Sequence, residues 1–366
     1  MGTGFFHDER TFWHSGGAYA LTMPVGPTVQ PMTDGLPDTA ESKRRFRNLL
    51  EVSGMMEELH LRKGTPATWD DLARVHSDTY LKAFKSASDA GGGELGVRAP
   101  FGPGGFEIAS VSAGLVKSAL SSVLKGRHRN AYALSRPPGH HCLPEHPNGF
   151  CLFANIAIAV EAAFAEGLVD RVAVVDWDVH HGNGTEAIYY DRDDVLTISI
   201  HQERNYPMDT GDLADQGAGA GKGANRNIPL PPGAGHATYL EAMERLVLPA
   251  LQDYAPDCII VACGFDASAV DPLGRMMLGA ESFRQMTRLM MEAADDLCGG
   301  RLVLAHEGGY SEAHVPFCGH AVMEELSGTD IRVEDPLGAT IMLRQPSAQM
   351  ERIFSHLIGE MEDAFS

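Results

Sequence analysis

Val172-Ala173-Val174-Val175-Asp176-Trp177-Asp178-Val179-His180-His181-Gly182 is the stretch on which the reading of this chain turns. An unbroken apolar run suits a strand buried on both faces. Here it feeds directly into two carboxylates and an imidazole, at Asp176, Asp178 and His180. On an extended strand end, side chains two residues apart point the same way. Asp178 and His180 can therefore grip one ion from the same side, and oxygen plus nitrogen donors suit zinc or another divalent transition metal. A hydrogen-bonded strand terminus without metal uses the same residue types, so the rest of the chain has to decide.

Four more apolar runs read as buried strands: Ala131 to Leu134, Val195 to Ile200, Cys258 to Ala262 and Arg301 to Ala305. Between them lie helix-length stretches. Phe153 to Ala165 is alanine-rich, and Thr238 to Leu251 and Ser282 to Leu297 place apolar residues at three- and four-residue steps. Met350 to Phe365 reads as a C-terminal helix. Strands alternating with helices predict an α/β chain with a parallel sheet covered on both faces. No linker rich in Pro, Ser or charge divides the sequence and no repeat is visible. Residues 1–366 are therefore read as one domain, although the length prior allows about two. The first hundred residues are less regular, with Pro and Gly clusters at 24–37 and 91–105, and the Gly-rich stretch 211–223 reads as a surface or rim loop.

The segments that follow the strands carry the functional signal. After Ala131 to Leu134 comes Arg136-Pro137-Pro138-Gly139-His140-His141; after Val195 to Ile200 comes His201. After Cys258 to Ala262 comes Gly264-Phe265-Asp266, and after Arg301 to Ala305 comes His306-Glu307-Gly308-Gly309-Tyr310. In open parallel sheets, sites form beyond the carboxyl ends of the strands. Asp178, His180 and Asp266 together supply three protein ligands and leave a position open, the catalytic rather than the closed structural arrangement. The tandem His140 and His141 are either further ligands or the general acid and base that such a metal needs. Asp176 and Asn183 can hold the two rings by hydrogen bonds. Tyr310, after two glycines, can reach the site and stabilise an oxyanion. His201 and His306 read as packing or supporting residues, and Arg136 as the partner of a buried carboxylate.

Composition limits the partners. The formal net charge is -20, which argues against a nucleic-acid surface. It is compatible with cationic peptides or polyamines, and equally with solubility alone. The six cysteines, Cys142, Cys151, Cys258, Cys263, Cys298 and Cys318, contain no C-x-x-C pair. They form neither a disulfide scaffold nor a thiolate zinc site and read as inert core residues, with redox sensitivity of Cys142 and Cys151, which flank the candidate active-site loop, as the alternative. The N-terminus lacks a basic region followed by an apolar stretch, and no later stretch reads as long enough to span a bilayer. A soluble cytoplasmic protein with no membrane partner is expected; a homo-oligomer is compatible with the sequence.

Taken together, these segments resemble the histone deacetylase family, in its bacterial histone deacetylase-like amidohydrolase branch close to the class II enzymes. The matching stretches are RPPGHH (Arg136 to His141), NGFCLFANIAIA (Asn148 to Ala159), VDWDVHHGNGT (Val175 to Thr185), LTISIHQ (Leu196 to Gln202), GFDASAVDPLG (Gly264 to Gly274) and EGGY (Glu307 to Tyr310). The resemblance implies a three-layer α/β/α arginase/deacetylase fold around a central eight-stranded, mostly parallel sheet. It implies Zn2+ on Asp178, His180 and Asp266, with Fe2+ tolerated by the same ligands. His141 is then the general base and acid and His140 its electrostatic partner, with Asp176 orienting His140, Asn183 beside His141 and Tyr310 completing oxyanion binding. Asn183 is the class II variant of an aspartate and leaves His141 less basic.

The resemblance also implies a narrow tunnel for an acyl-amine side chain, lined by Gly149 and Phe150, with Tyr206 where relatives have a second phenylalanine. Leu273 matches the peptide-type members, whereas polyamine-specific relatives carry a glutamate there. A structural K+ is implied at Asp176, Asp178, His180, Ser199 and Ile200, mostly through backbone oxygens. The expected function is zinc-dependent removal of acetyl or a related short acyl group from lysine ε-amines of peptides or lysine-like compounds. An acetylpolyamine or other small-molecule amide deacetylase is the alternative. A dimanganese ureohydrolase on the same fold would need more carboxylates than Asp266-Ala267-Ser268 offers. A non-catalytic acyl-lysine binding module would have no use for the intact His140, His141 and Tyr310.

Overall fold

Each central strand of the computed structural model sends alternate side chains into two different cores. Ala173, Val175, Ile259, Val261, Leu302 and Leu304 pack into one, with residues of helices Glu41–Val52, Ala280–Cys298 and Val315–Ser327. Val172, Val174, Ile260, Ala262, Val303 and Ala305 pack into the other, with helices Gly105–Leu124 and Asn155–Ala165. Burying a large aliphatic side chain is worth about 1.5–3 kcal/mol. Exposing either face would thus cost on the order of 10 kcal/mol, comparable to the whole stability of a typical domain. Both helix layers are obligatory for these sequences. The structure describes all residues except 18, 25, 27 and 31–34, so part of the Pro- and Gly-rich stretch 24–37 lies outside the described residues.

Eight strands form the sheet: β1 Gly4–Phe6, β2 His60–Arg62, β3 Asn130–Ala133, β4 Val172–Asp176, β5 Val195–Gln202, β6 Asn225–Leu230, β7 Cys258–Cys263 and β8 Leu302–His306. Their spatial order is β6-β5-β4-β7-β8-β3-β1-β2, and every neighbouring pair is parallel. The expected mostly parallel sheet is wholly parallel. Outside it, among the described residues, short antiparallel ribbons pair Tyr19–Ala20 with Met23–Pro24 and Gly93–Glu94 with Pro100–Phe101. The five strands read from apolar runs are all present. The predicted helix from Thr238 is two helices, His236–Ala242 and Leu248–Tyr254, joined by a wide π turn over Met243–Val247. Pro249 lies just beyond that turn and has no N–H to extend an α ladder.

One expectation is corrected. Helix Gly105–Leu124 is long and apolar enough, by length and composition, to cross a membrane. It is a core helix, with 67% of its most apolar window buried inside the protein. Cross-strand register then aligns the strand ends: Asp176 pairs with Ala262 and Ser199, Cys263 with His306, and Ala305 with Ala133. The polar segments after β3, β4, β5, β7 and β8 consequently leave the sheet side by side.

Candidate metal centre and active site

Asp178 and His180 lie not on an extended strand end but in a bend just after β4, where the N–H of Asp178 donates to Asp176 Oδ1 and that of His180 to Asp178 Oδ1, both at 3.0 Å; Asp266 follows β7 by three residues. Their ligand atoms lie within 4.8 Å of one another, and all three residues are buried. His180 Nδ1 stands 2.9 Å from Asp178 Oδ1 and 3.0 Å from Asp266 Oδ2. Two carboxylates this close to one nitrogen, out of water, require a shared positive charge. Burial disfavours an imidazolium, yet Asp266 and Asp178 hold His180 up to about 10. A divalent cation would answer the same need.

The remaining oxygens test that fit. Asp178 Oδ2 accepts from the Gly308 N–H at 2.7 Å, and Asp266 Oδ1 from the Val179 N–H at 2.8 Å. Asp266 Oδ2 is buried without a hydrogen-bond partner, because the nearby imidazole is not aligned to donate to it. A Cβ added to Gly264 would come 2.1 Å from Asp178 Oδ2, and one added to Gly308 2.1 Å from Asp266 Oδ2. The glycines after β7 and β8 are thus what lets the carboxylates converge. An oxygen, nitrogen, oxygen donor set with an orphaned carboxylate oxygen fits one ion of the zinc class. Potential donors of His140, Cys151 and Glu307 also approach within 4.8 Å, and Glu307 Oε1 likewise lacks a hydrogen-bond partner, but the other donors there are engaged or protonated. Glu307 Oε2 accepts from the N–H groups of Gly139 and His140 at 2.6 and 3.1 Å, and burial pushes the Cys151 thiol well above its ordinary range.

His140 and His141 follow β3, with ring centroids 4.0 Å apart. His140 Nδ1 donates to Asp176 Oδ2 at 2.9 Å, and His141 Nδ1 to Asn183 Oδ1 at 2.8 Å. Both bonds leave Nε2 as the reactive nitrogen. Their electrostatics diverge. Burial lowers a histidine pKa, but the Asp178 and Asp176 carboxylates override it and hold His140 up to about 10. His141 meets an amide instead, and burial with the neighbouring His140 and His180 charges drives it well below its usual value. The pair therefore offers a fixed cation beside a neutral base, the separation that divides acid and base roles.

A cavity of about 220 Å³ opens over this centre, and Gly149, Phe150, Tyr206, Leu273 and Tyr310 line it together with His141 and His180. Gly149 has φ of 50°; its missing Cβ would lie 2.4 Å from His141 Cδ2 and 2.7 Å from Tyr206 Cε1. The Phe150 and Tyr310 rings meet edge-on at 5.7 Å, and the Tyr206 ring stands 5.0 Å from that of His141 at 85°. The Tyr206 hydroxyl donates to Asn148 Oδ1.

Asp176 and Ser199 are direct cross-strand partners, with Ile200 next along β5. Asp178 and His180 follow the same strand end. His201 bonds Ser199 Oγ and the Gly211 carbonyl, and His306 bonds the Tyr132 hydroxyl at 2.7 Å, so both support the site from outside it. Arg136 reaches the buried Asp38 carboxylate at 3.5 Å. Sequence reasoning missed Asp271. One of its oxygens accepts from the Tyr310 and Ser311 N–H groups at 2.8 and 3.2 Å, and the other from Leu273 N–H at 2.9 Å. A carboxylate inside an otherwise apolar Pro- and Gly-containing loop was the available signal. Lys43 was missed too: buried, it pairs with Asp38 at 2.9 Å and lies 5.5 Å from the Tyr310 ring centroid.

Comparison with known proteins points to one family. The histone deacetylase domain model matches residues 37–326. The chain is 58% identical over 364 residues to a histone deacetylase-like amidohydrolase of Pseudomonas aeruginosa, covering 99% of this chain and 96% of that one. It is 34% identical to histone deacetylase 8 of Arabidopsis thaliana, across 89% of this chain and 90% of the relative. The crystal structure of the HDA15 HD domain is similar with a TM-score of 0.81 at 29% identity, over 99% of both chains.

Proposed function

The chain belongs to the histone deacetylase family, hydrolases with the three-layer arginase/deacetylase fold, and we propose that it is a zinc-dependent deacetylase of lysine ε-amines. Its substrate is an acetyl- or short-acyl-lysine in a peptide or a lysine-like compound, and its products are acetate and the free amine. One observation carries this reading. The Asp178, His180 and Asp266 donors converge at a cavity that also holds a histidine pair of split charge and a tyrosine.

Asp178, His180 and Asp266 would hold the ion, zinc or ferrous iron, which when bound supplies Lewis acidity to a carbonyl and to water. Neutral His141, held through Nδ1 by Asn183, takes a proton from the attacking water at Nε2. His140, kept cationic beside Asp176, stabilises the negative charge that develops. The Tyr310 hydroxyl donates to the acyl oxygen as it becomes an oxyanion. His141 then returns its proton to the leaving nitrogen, and the C–N bond breaks. Gly149, Phe150 and Tyr206 flank the methylenes of the lysine, and Leu273 presents no carboxylate for a second ammonium. Potassium at the β4 and β5 ends, on Asp176, Asp178, His180, Ser199 and Ile200, belongs to the same reading.

Residues 1–366 act on this reading as one domain, since strands from Gly4 to His306 share one sheet. Six cysteines without disulfides suit the reducing cytoplasm. Acetate release from an acetyl-lysine peptide and from an acetylated diamine, with metal content measured on the same zinc-loaded protein, tests the proposal. We expect one zinc ion per chain, faster release from the peptide, and a loss of about 10²-fold in Tyr310→Phe. No acetate from any acylated lysine, or two zinc ions per chain, would overturn it.

A further inference from the structure

The mouth of the cavity reverses the charge of the molecule. The chain carries 49 acidic and 29 basic side chains, yet two of the residues at the cavity are Arg98 and Arg275, and no carboxylate is among its described lining residues. Both guanidinium groups are held by neutral partners. Arg98 lies 5.2 Å from the centroid of the Tyr206 ring, itself 5.0 Å from the His141 ring. The Arg98 carbonyl accepts from the Phe150 N–H at 2.8 Å, stitching its loop to the cavity wall. Arg275 Nη1 donates to the carbonyls of Pro272 and Gly274 at 3.1 and 2.5 Å. Aromatic stacking and carbonyl bonds orient the two cations without neutralising them. Asp209 lines an adjoining cleft that also includes Arg98, and is not among the lining residues of this cavity.

We propose that Arg98 and Arg275 form a carboxylate subsite at this mouth. The favoured substrate is then an acyl-lysine with negative charge beside it, either an Asp or Glu neighbour or its own free α-carboxylate. The inference rests on the deacetylase reading above and narrows its substrate class. A cationic partner, such as a polyamine or a lysine-rich segment, meets like charge at the entrance and is disfavoured. Two partly screened charge contacts are enough for about a tenfold preference.

Capped acetyl-lysine peptides flanked by Asp, by Ala or by Lys test this, together with a C-terminal acetyl-lysine presented as free acid and as amide. We expect kcat/KM for the Asp-flanked peptide to exceed that for the Lys-flanked one by about tenfold, mainly through KM. That ratio should fall below about twofold in Arg98→Gln/Arg275→Gln and shrink with added salt. Preference for the free acid over the amide would locate the charge on the lysine's own carboxylate; preference confined to Asp flanks would locate it on neighbouring side chains, and either supports the proposal. A ratio near one in the parent, or one that survives the double variant, overturns it. Should that variant not fold, a ratio insensitive to salt and to each single substitution overturns it equally. Hydrolysis of all peptides at equal rates sinks only this inference, whereas hydrolysis of none removes the deacetylase reading and this inference with it.

Discussion

His141 and Asn183 are joined by a 2.8 Å hydrogen bond whose acceptor is an amide oxygen, although the adjacent His140 meets a carboxylate at Asp176. A carboxylate at position 183 would stabilise the imidazolium of His141. The base would then stay protonated to higher pH. In Asn183→Asp we expect the acid limb of the kcat/KM profile to move up by about one pH unit. An unmoved limb would remove His141 from the role of base.

Gly308 supplies the N–H that holds Asp178, and a side chain there would strike Asp266 Oδ2 at 2.1 Å and Asp178 Oδ2 at 2.6 Å. Gly308→Ala should force the two carboxylates apart. We expect zinc affinity, measured by competition with a chelator, to drop by about 10- to 100-fold, the scale seen when groups supporting a metal ligand are lost. Parent-like affinity would show that the pair does not hold the ion.

Asp271 ties the Tyr310 loop to the Leu273 loop through three backbone N–H groups. Asp271→Ala leaves those donors unpaired, at a cost of about 1–3 kcal/mol each where they remain dry. Turnover should fall by about tenfold or more while metal stoichiometry stays unchanged, because Tyr310 loses its anchor. Asp271→Asn, which keeps one acceptor oxygen, should recover part of the loss. Equal turnover in the parent and the alanine variant would mean that Tyr310 is positioned by other contacts.

Acid sensitivity should come partly from His76, far from the metal ligands in sequence. Its Nδ1 donates to the Pro144 carbonyl at 3.3 Å and its Nε2 accepts from the Ala154 N–H at 3.0 Å, an arrangement only the neutral ring satisfies. Burial lowers its pKa from 6.5 to about 4. Between those values the unfolded chain binds a proton that the folded chain refuses. Stability therefore falls as pH drops from about 6.5 toward about 4, and His76 should contribute about 2 kcal/mol of loss between pH 7 and pH 5. Urea midpoints at the two pH values should differ less in His76→Gln than in the parent; an identical difference would assign the acid sensitivity elsewhere.

Legibility in the sequence followed burial. Strands β4, β5, β7 and β8 are covered on both faces and read as continuous apolar runs. The edge strands are not: β2 is exposed along His60–Arg62, and β6 contains Pro229, tolerated because its outer edge has no neighbour to bond. The N-terminal β1 is too short for any pattern. The residues now grouped as Asp178, His180 and Asp266 were readable because each follows an apolar run, and a parallel sheet brings such ends to one edge. Asp271, Glu307 and Asp38 were not, since Tyr310, the Gly139 N–H and Arg136 that they meet lie far from them in the chain and no local period marks them.

Which side chains arrive at the carboxyl edge of the sheet was therefore set locally, by apolar runs that must be strands and by the polar residues that end them. The division of labour within the histidine pair was not. His140 and His141 are the same residue type in the same turn, and they differ because folding brings a carboxylate to one and an amide to the other while removing water from both. Proton affinity depends on distance to charge and on access to solvent, and neither quantity exists until the chain has folded.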